Sequence, residues 1–234
     1  MNKDLLGQAI WEYHQNPNDQ ELITWTHLTD DDLMPVDCFF RTYDDMPIIE
    51  QKALDFSYGK VLDIGCGAGS HSLHLQNQLE LDVKAIDISP AAVATTKARG
   101  VKNTLCVDIF EYEDIYDTLL MLMNGIGMCE NLSGLKELLK HLKGLLNPGG
   151  QILLDSSDII YLFEEEEYSQ NPVQESYYGE VDFGIRYYGE EQLFPWLYVD
   201  FQTLKKVALE TGYRCSLEVE GEHYDYLAKL TRVY

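Results

Sequence analysis

Apolar and polar positions alternate along the chain in blocks that read as a series of strands and helices. Leu5, Leu6, Ala9, Ile10 and Tyr13 share one face of a helix over residues 4–15, which Asn16-Pro17-Asn18-Asp19 ends. Residues 20–44 are acidic and aromatic, without a clear period. Asp44-Asp45-Met46-Pro47 opens a second helix running through Phe56, and Gly59 interrupts the chain. Val61, Leu62 and Ile64 then make a short apolar strand. Gly65, Gly67 and Gly69 follow at every second position, and from Ser70 the pattern turns helical, with Leu73, Gln76 and Leu79 on one face. Strand, glycine turn and helix in this order are the opening unit of a parallel α/β sheet.

The same alternation continues. Residues 82–87, DVKAID, predict a second strand, and Ser89-Pro90 caps a helix that runs to Arg99 and stops at Gly100. Residues 102–107 give a third strand closed by Asp108. The unbroken apolar run Tyr116–Met123 predicts a central strand buried on both faces, followed by Asn124-Gly125-Ile126-Gly127. A helix over Leu132–Leu146 turns at Asn147-Pro148-Gly149-Gly150 into a fifth strand, Gln151–Asp155. From Ser156 to Tyr198 the pattern loosens into an acid run, Glu164–Glu167, and many tyrosines, with room for one or two strands in Tyr177–Tyr188. A helix over Asp200–Thr211 and two strands, Tyr213–Glu220 and His223–Arg232, close the chain. The expected fold is a doubly wound α/β sheet. Its domains are a helical cap segment over residues 1–59 and a main domain over 60–234, with a lid inserted at about 156–198.

Asp63-Ile64-Gly65-Cys66-Gly67-Ala68-Gly69 is a full D-x-G-x-G-x-G match. At these residues the chain resembles the class I S-adenosylmethionine (SAM)-dependent methyltransferases. The dinucleotide fingerprint G-x-G-x-x-G differs, because its third glycine would fall on Ser70. The resemblance implies a seven-stranded Rossmann-like sheet with one antiparallel strand, SAM as cofactor and S-adenosylhomocysteine as product. It places Asp63, Gly65, Cys66, Gly67, Gly69 and Ser70 in the cofactor loop. Asp87, 22 positions after Gly65, is placed to accept both ribose hydroxyls, with Ile88 on the adenine face. Asp108 and Ile109 fall at the adenine amino group, and Asn124 and Gly125 at the reacting end, where Asn124 is the candidate catalytic residue. Arg41, in the segment before the first strand, is a candidate for the cofactor's carboxylate, an ordinary ion pair being the alternative. The Leu145-Leu146-Asn147-Pro148-Gly149-Gly150 stretch is a structural hallmark of the family.

Composition narrows the partners. The 234 residues carry 40 acidic against 17 basic side chains, a formal net charge of −23. Such a surface repels nucleic-acid phosphates and anionic lipid, so neither is an expected partner. The five cysteines form no C-x-x-C pair, which argues against a zinc ribbon and for reduced thiols in a cytoplasmic protein. No signal peptide or membrane-length apolar run is read. His71 and His74 lie three apart but lack a third ligand nearby, so no metal is expected. There is no G-x-S-x-G elbow and no P-loop lysine. The expected partner is a small-molecule acceptor, an amine or another neutral-to-cationic compound with an apolar part. The tyrosine-rich lid would enclose it, with Tyr187, Tyr188 and Trp196 as walls. A core of the lid's own or a dimer contact would use the same aromatics, and monomer and dimer both stay open. A non-catalytic SAM-binding protein and, more remotely, a nicotinamide-dependent oxidoreductase are the alternatives.

Overall fold

The computed structural model describes residues 3–17, 20–163 and 176–233. Its main sheet is built from β3 (Lys60–Ile64), β4 (Asp82–Asp87), β5 (Asn103–Cys106), β6 (Tyr116–Met121), β7 (Leu146–Ser157), β10 (Tyr213–Glu220) and β11 (Asp225–Arg232). The order across it is β10-β11-β7-β6-β3-β4-β5, and only β11 runs against its neighbours. This is the expected seven-stranded Rossmann-like sheet. The strand order reverses beside β3, so the glycine turn after β3 opens at the switch point, where ligands of such sheets bind.

Helices cover both faces. On one face α5 (Leu132–Leu145) and α6 (Phe201–Glu210) lay Leu135, Leu138, Leu139, Leu142, Leu204 and Val207 onto the central strands. On the other, α2 (Ile48–Phe56) and α3 (Ser70–Asn77) bring Ile49, Ala53, Leu54 and Leu75 against Val61, Leu120 and Leu153. Each of these leucines would cost about 2–5 kcal/mol on truncation to Ala. The helix α4 (Pro90–Ala98) has the predicted cap, the Ser89 hydroxyl accepting from the Ala92 amide at 2.9 Å. At the start of α1 (Leu5–Gln15), Asp4 accepts both the Gly7 amide at 3.1 Å and the Ser89 hydroxyl at 2.7 Å. The first helix is thereby tied to the end of β4.

A second sheet departs from the expected organisation. The hairpin of β1 (Leu22–Thr26) and β2 (Thr29–Met34) pairs through β1 with β8 (Glu180–Tyr187), which pairs with β9 (Glu190–Leu197), in the order β2-β1-β8-β9. The segment before residue 60 is therefore not helical alone, and it builds one layer with strands from the expected lid. No period reveals β2, since TDDDLM lies largely exposed at the sheet edge. It is a strand because β1 offers it a ladder, and its three aspartates keep that edge from pairing further. The sheet packs on α1 around Leu5, Ala9, Leu22, Ile185 and Tyr187. Glu164–Glu167 and Tyr168 lie outside the described residues. Smaller differences concern element ends: β6 stops at Met121, and β7 begins at Leu146, taking in the Asn-Pro-Gly-Gly turn.

Candidate functional site

The site is built on the glycine turn. Gly65, Gly67 and Gly69 have φ of +77°, +54° and +81°, a region costly for residues with a Cβ. Their tasks differ. A side chain at Gly69 would run into Thr96 of α4, so this glycine lets two helices approach. At Gly65 the nearest atom to an added Cβ is Met128 Cε at 3.7 Å, and at Gly67 it is Phe39 Cδ1 at 3.8 Å, so a Cβ there would meet ordinary contact and no clash. Met128 also borders a recess of about 370 Å³ that includes Phe110, Glu130 and Asn131.

Asp87 stands beside this turn. Its Oδ2 accepts the Gly67 amide at 3.0 Å and its Oδ1 the Ser89 amide at 2.9 Å, while burial pushes its pKa up. Ile88 is 72% exposed, a large apolar face held out at the strand's end. Asp108 caps the turn after β5 through the Phe110 amide at 2.9 Å, and Ile109 is buried in the main core. Ile109 can therefore offer a ligand its backbone and not its side chain.

Three loop residues work from behind. Asp63 is only 2% exposed and accepts the Ser72 hydroxyl at 2.6 Å. It was expected at the cofactor, but it has no open face and instead fixes α3 onto β3. Cys66 is buried, its thiol pKa raised by that burial, and it lies 3.6 Å from the Thr96 hydroxyl. Only its backbone can meet a ligand. The Ser70 hydroxyl donates to the Phe39 carbonyl at 2.7 Å and accepts from Arg99 at 3.0 Å, holding Phe39 over the turn.

Arg41, expected at the cofactor's carboxylate, is ion-paired with Glu50 at 2.5 Å. The second Glu50 oxygen meets His71 Nε2 at 2.8 Å. Burial disfavours the His71 imidazolium. The Glu50 hydrogen bond and the nearby Asp63 and Asp155 carboxylates outweigh it, so its pKa is raised. Arg41 Nε is buried and has no hydrogen-bond partner among the described residues.

At the other end, Met123 and Asn124 both take left-handed φ, +58° and +54°, immediately after β6. Such turns cost on the order of 1–3 kcal/mol per residue and are held by their surroundings. Here the Asn124 amide N–H donates to Asp155 Oδ1 at 3.0 Å. The Asn124 side chain accepts from Ser156 at 2.8 Å and donates to the Leu197 carbonyl at 3.3 Å. Its side chain was the candidate to meet the reacting group. Instead it is engaged at both ends, stitching β9 to the main sheet. Gly125 lies between Met121 and the Ile64 carbonyl.

The three expected wall residues separate. Trp196 packs on Gly127 so closely that an added Cβ would overlap its indole, and Phe183 and Phe194 lie beside it at 6.0 and 5.7 Å between ring centres. Tyr187 is 2% exposed and donates to Glu12 at 2.9 Å, so it is core and not wall. Tyr188 is in the hairpin turn, 58% exposed with φ +49°. Six residues of extended strand separate Trp196 from that end of the hairpin, roughly 20 Å. Phe39, Met128, Phe183, Phe194, Glu50 and Asp155 were not picked out from the sequence. Only Asp155 carried a signal, as the acid ending a predicted strand.

A doubly wound sheet with a glycine cradle at its switch point and an acid at the next strand's end defines a nucleoside-binding enzyme of the methyltransferase kind. A family model described as "Methyltransferase domain" matches residues 61–150. A SAM-dependent methyltransferase from Bacteroides fragilis, solved with S-adenosyl-L-homocysteine, is 41% identical. The alignment covers 99% of this chain and 96% of that one, with a TM-score of 0.91. The sugar N-methyltransferase KedS8 from Streptoalloteichus sp. shares the fold at 14% identity and TM-score 0.58, over 88% and 96% of the two chains. Two curated relatives match more narrowly. Ribosomal RNA small subunit methyltransferase C of Erwinia tasmaniensis is 32% identical over 102 residues, 40% of this chain. Ubiquinone biosynthesis O-methyltransferase of Xanthomonas oryzae pv. oryzae is 28% identical over 108 residues, 44% of it. The chain spans 30% and 45% of their lengths, less than half of either. The chain belongs to the class I SAM-dependent methyltransferases and is an enzyme, which sets aside the non-catalytic and oxidoreductase alternatives.

SAM is its cofactor, and the cradle fits it. The bare backbone at Gly65 and Gly67, with no side chain on either, suits close approach of a ligand. Beside it stand the Asp87 carboxylate and the exposed apolar face of Ile88, groups whose chemistry would suit a ribose and a base. Bound there, SAM supplies a methyl group already activated by its sulfonium. The protein's own task is to align the acceptor and exclude water. Among the described residues no group of side chains could hold a metal ion, and no helix is long and apolar enough to cross a membrane.

Proposed function

We propose that the methyl acceptor is a small organic molecule with an apolar part, enclosed between the ends of β6 and β7 and the inner face of the second sheet. The carrying observation is the seat of Trp196 on Gly127, next to the tether between Asn124 and Leu197. It brings the aromatic end of the second sheet to the strand ends that carry the cofactor loop. Phe183 and Phe194 extend this face, and Phe39 borders it from the N-terminal segment. Aromatic faces on so acidic a chain suit a neutral or cationic acceptor, each face contributing about 0.5–2 kcal/mol with a cation. The excess of 40 acidic over 17 basic residues opposes RNA, although one curated relative is named for ribosomal RNA. That relative matches 102 residues. The sugar N-methyltransferase sharing the fold and the ubiquinone-pathway relative are named for small-molecule chemistry.

The test is transfer of a labelled methyl group from SAM to a panel of amines, phenols, carboxylates and thiols, with RNA and protein as controls. Methylation of an amine or phenol is expected, and Trp196→Ala should raise KM for it about tenfold or more, the share of a buried aromatic contact. Methylation of RNA or protein alone, or an unchanged KM, refutes the reading.

A further inference from the structure

We propose that Asp155 is the proton acceptor of the reaction, taking the proton from the nitrogen or oxygen of the acceptor that receives the methyl group. The inference rests on the small-molecule reading above. Its geometry comes from the ends of two central strands. Asp155 lies in β7 one residue past its last pair with β6, Met121 with Leu154, and its Oδ1 accepts the Asn124 amide at 3.0 Å. Apart from its own backbone amide, Asn124 is the one described residue that donates to this carboxylate, and its bond goes to Oδ1.

Among the carboxylates gathered on this side of the sheet, this sets Asp155 apart. Both oxygens of Asp87 hold backbone amides, and both of Glu50 hold Arg41 and His71. Asp63 is sealed behind the turn on Ser72. Asp155 alternates along β7 with Leu153, which packs under α2 and α3, so it projects on that same face. It is only partly exposed. Burial raises its pKa most; the Asn124 amide, His71 from α3 and its own amide lower it, and Glu50 from α2 raises it. The flanking strands contribute apolar side chains there, Leu120 from β6 and Leu227 from β11.

A proton acceptor needs a pKa close to the working pH. Burial pushes the Asp155 carboxyl up to about 7. An ordinary aspartate near 4 would be a far weaker base. In the transfer the acceptor's lone pair forms the new bond to carbon, and the methyl–sulfur bond breaks with its electron pair left on sulfur. The acceptor's proton ends on Asp155 Oδ2. Asn124 donates to Oδ1 and so orients the carboxylate as a positioning residue, which gives its tethered place a purpose.

The experiment uses the full chain and three proteins: wild type, Asp155→Asn and Asp155→Glu. Asn keeps the size and one acceptor oxygen for the Asn124 amide. Tyramine, benzylamine and catechol serve as acceptors with labelled SAM, S-adenosylhomocysteine affinity is measured by calorimetry, and the Asp155 carboxyl is titrated by carbon-13 NMR. Asp155→Asn should lower kcat about 100-fold or more. It should leave S-adenosylhomocysteine affinity within about threefold and remove the acid limb of the kcat profile near pH 7. Asp155→Glu should restore part of that limb, and the wild-type carboxyl should titrate between about pH 6 and 8. The proposal is overturned if Asp155→Asn keeps kcat, if it weakens S-adenosylhomocysteine binding about tenfold or more, or if the carboxyl titrates below about pH 5. Should wild type methylate only RNA or protein, the small-molecule reading fails by itself. The NMR titration then decides whether Asp155 has the basicity assigned to it.

Discussion

Replacing Asp87 by Asn separates a ligand-binding carboxylate from a merely structural one. Its two oxygens take the Gly67 and Ser89 amides at 3.0 and 2.9 Å, while burial raises its pKa. The charge is thus costly to the fold, and two amide bonds offset much of that cost. Asn loses one acceptor but also the buried charge, so folding stability should change by only about 1 kcal/mol. Ligand binding has no such compensation. Each hydroxyl bond to a carboxylate contributes about 1.5–3 kcal/mol, against about 0.5–1.5 for a neutral one. Converting one such bond to neutral and losing the other removes about 2–4 kcal/mol, a fall in affinity of roughly 30- to 1000-fold. Calorimetric titration with S-adenosylhomocysteine reads the affinity, and urea unfolding followed by circular dichroism reads the stability. Affinity within about threefold of wild type refutes the assignment. So does a stability loss as large as the affinity loss, which would make Asp87 a support for the turn alone.

Gly127→Ala places a methyl group inside the Trp196 indole and should cost about 1–3 kcal/mol of stability while shifting tryptophan fluorescence; an unchanged spectrum and midpoint would show that the contact is dispensable. Glu50→Ala strips both Arg41 and His71 of their shared carboxylate and should destabilise by about 3 kcal/mol, read from chemical denaturation, whereas a change under about 1 kcal/mol would make the network decorative. The folded-state pKa of Asp155 lies above its unfolded value, so the folded chain holds that proton more tightly. This stabilisation is complete below about pH 4 and is lost as pH rises towards 7. Tm should therefore fall more steeply between about pH 4 and 7 in wild type than in Asp155→Asn, and parallel profiles from scanning calorimetry would contradict the shift.

The main sheet was legible because its signals are local. A strand buried on both faces must be apolar throughout, as Tyr116–Met121 is, and a turn with positive φ must carry glycine, as Gly65, Gly67 and Gly69 do. Spacing along the chain then located Asp87 and Ile88 at the end of the next strand. What no local pattern holds is pairing between distant segments. TDDDLM is a strand only because Leu22–Thr26 lies beside it, and that hairpin is ordered against Glu180–Tyr187, more than a hundred residues away. The density of tyrosine likewise says nothing of direction. Tyr187 faces the core as the last residue of its strand, while Tyr188 turns out to solvent in the hairpin, where its φ is +49°. The same holds for charge: Asp63 and Asp155 are both acids at strand ends by sequence. Asp63 is closed off by Ser72 because helix α3 begins directly over β3, whereas among the described residues no other side chain is hydrogen-bonded to Asp155 in β7.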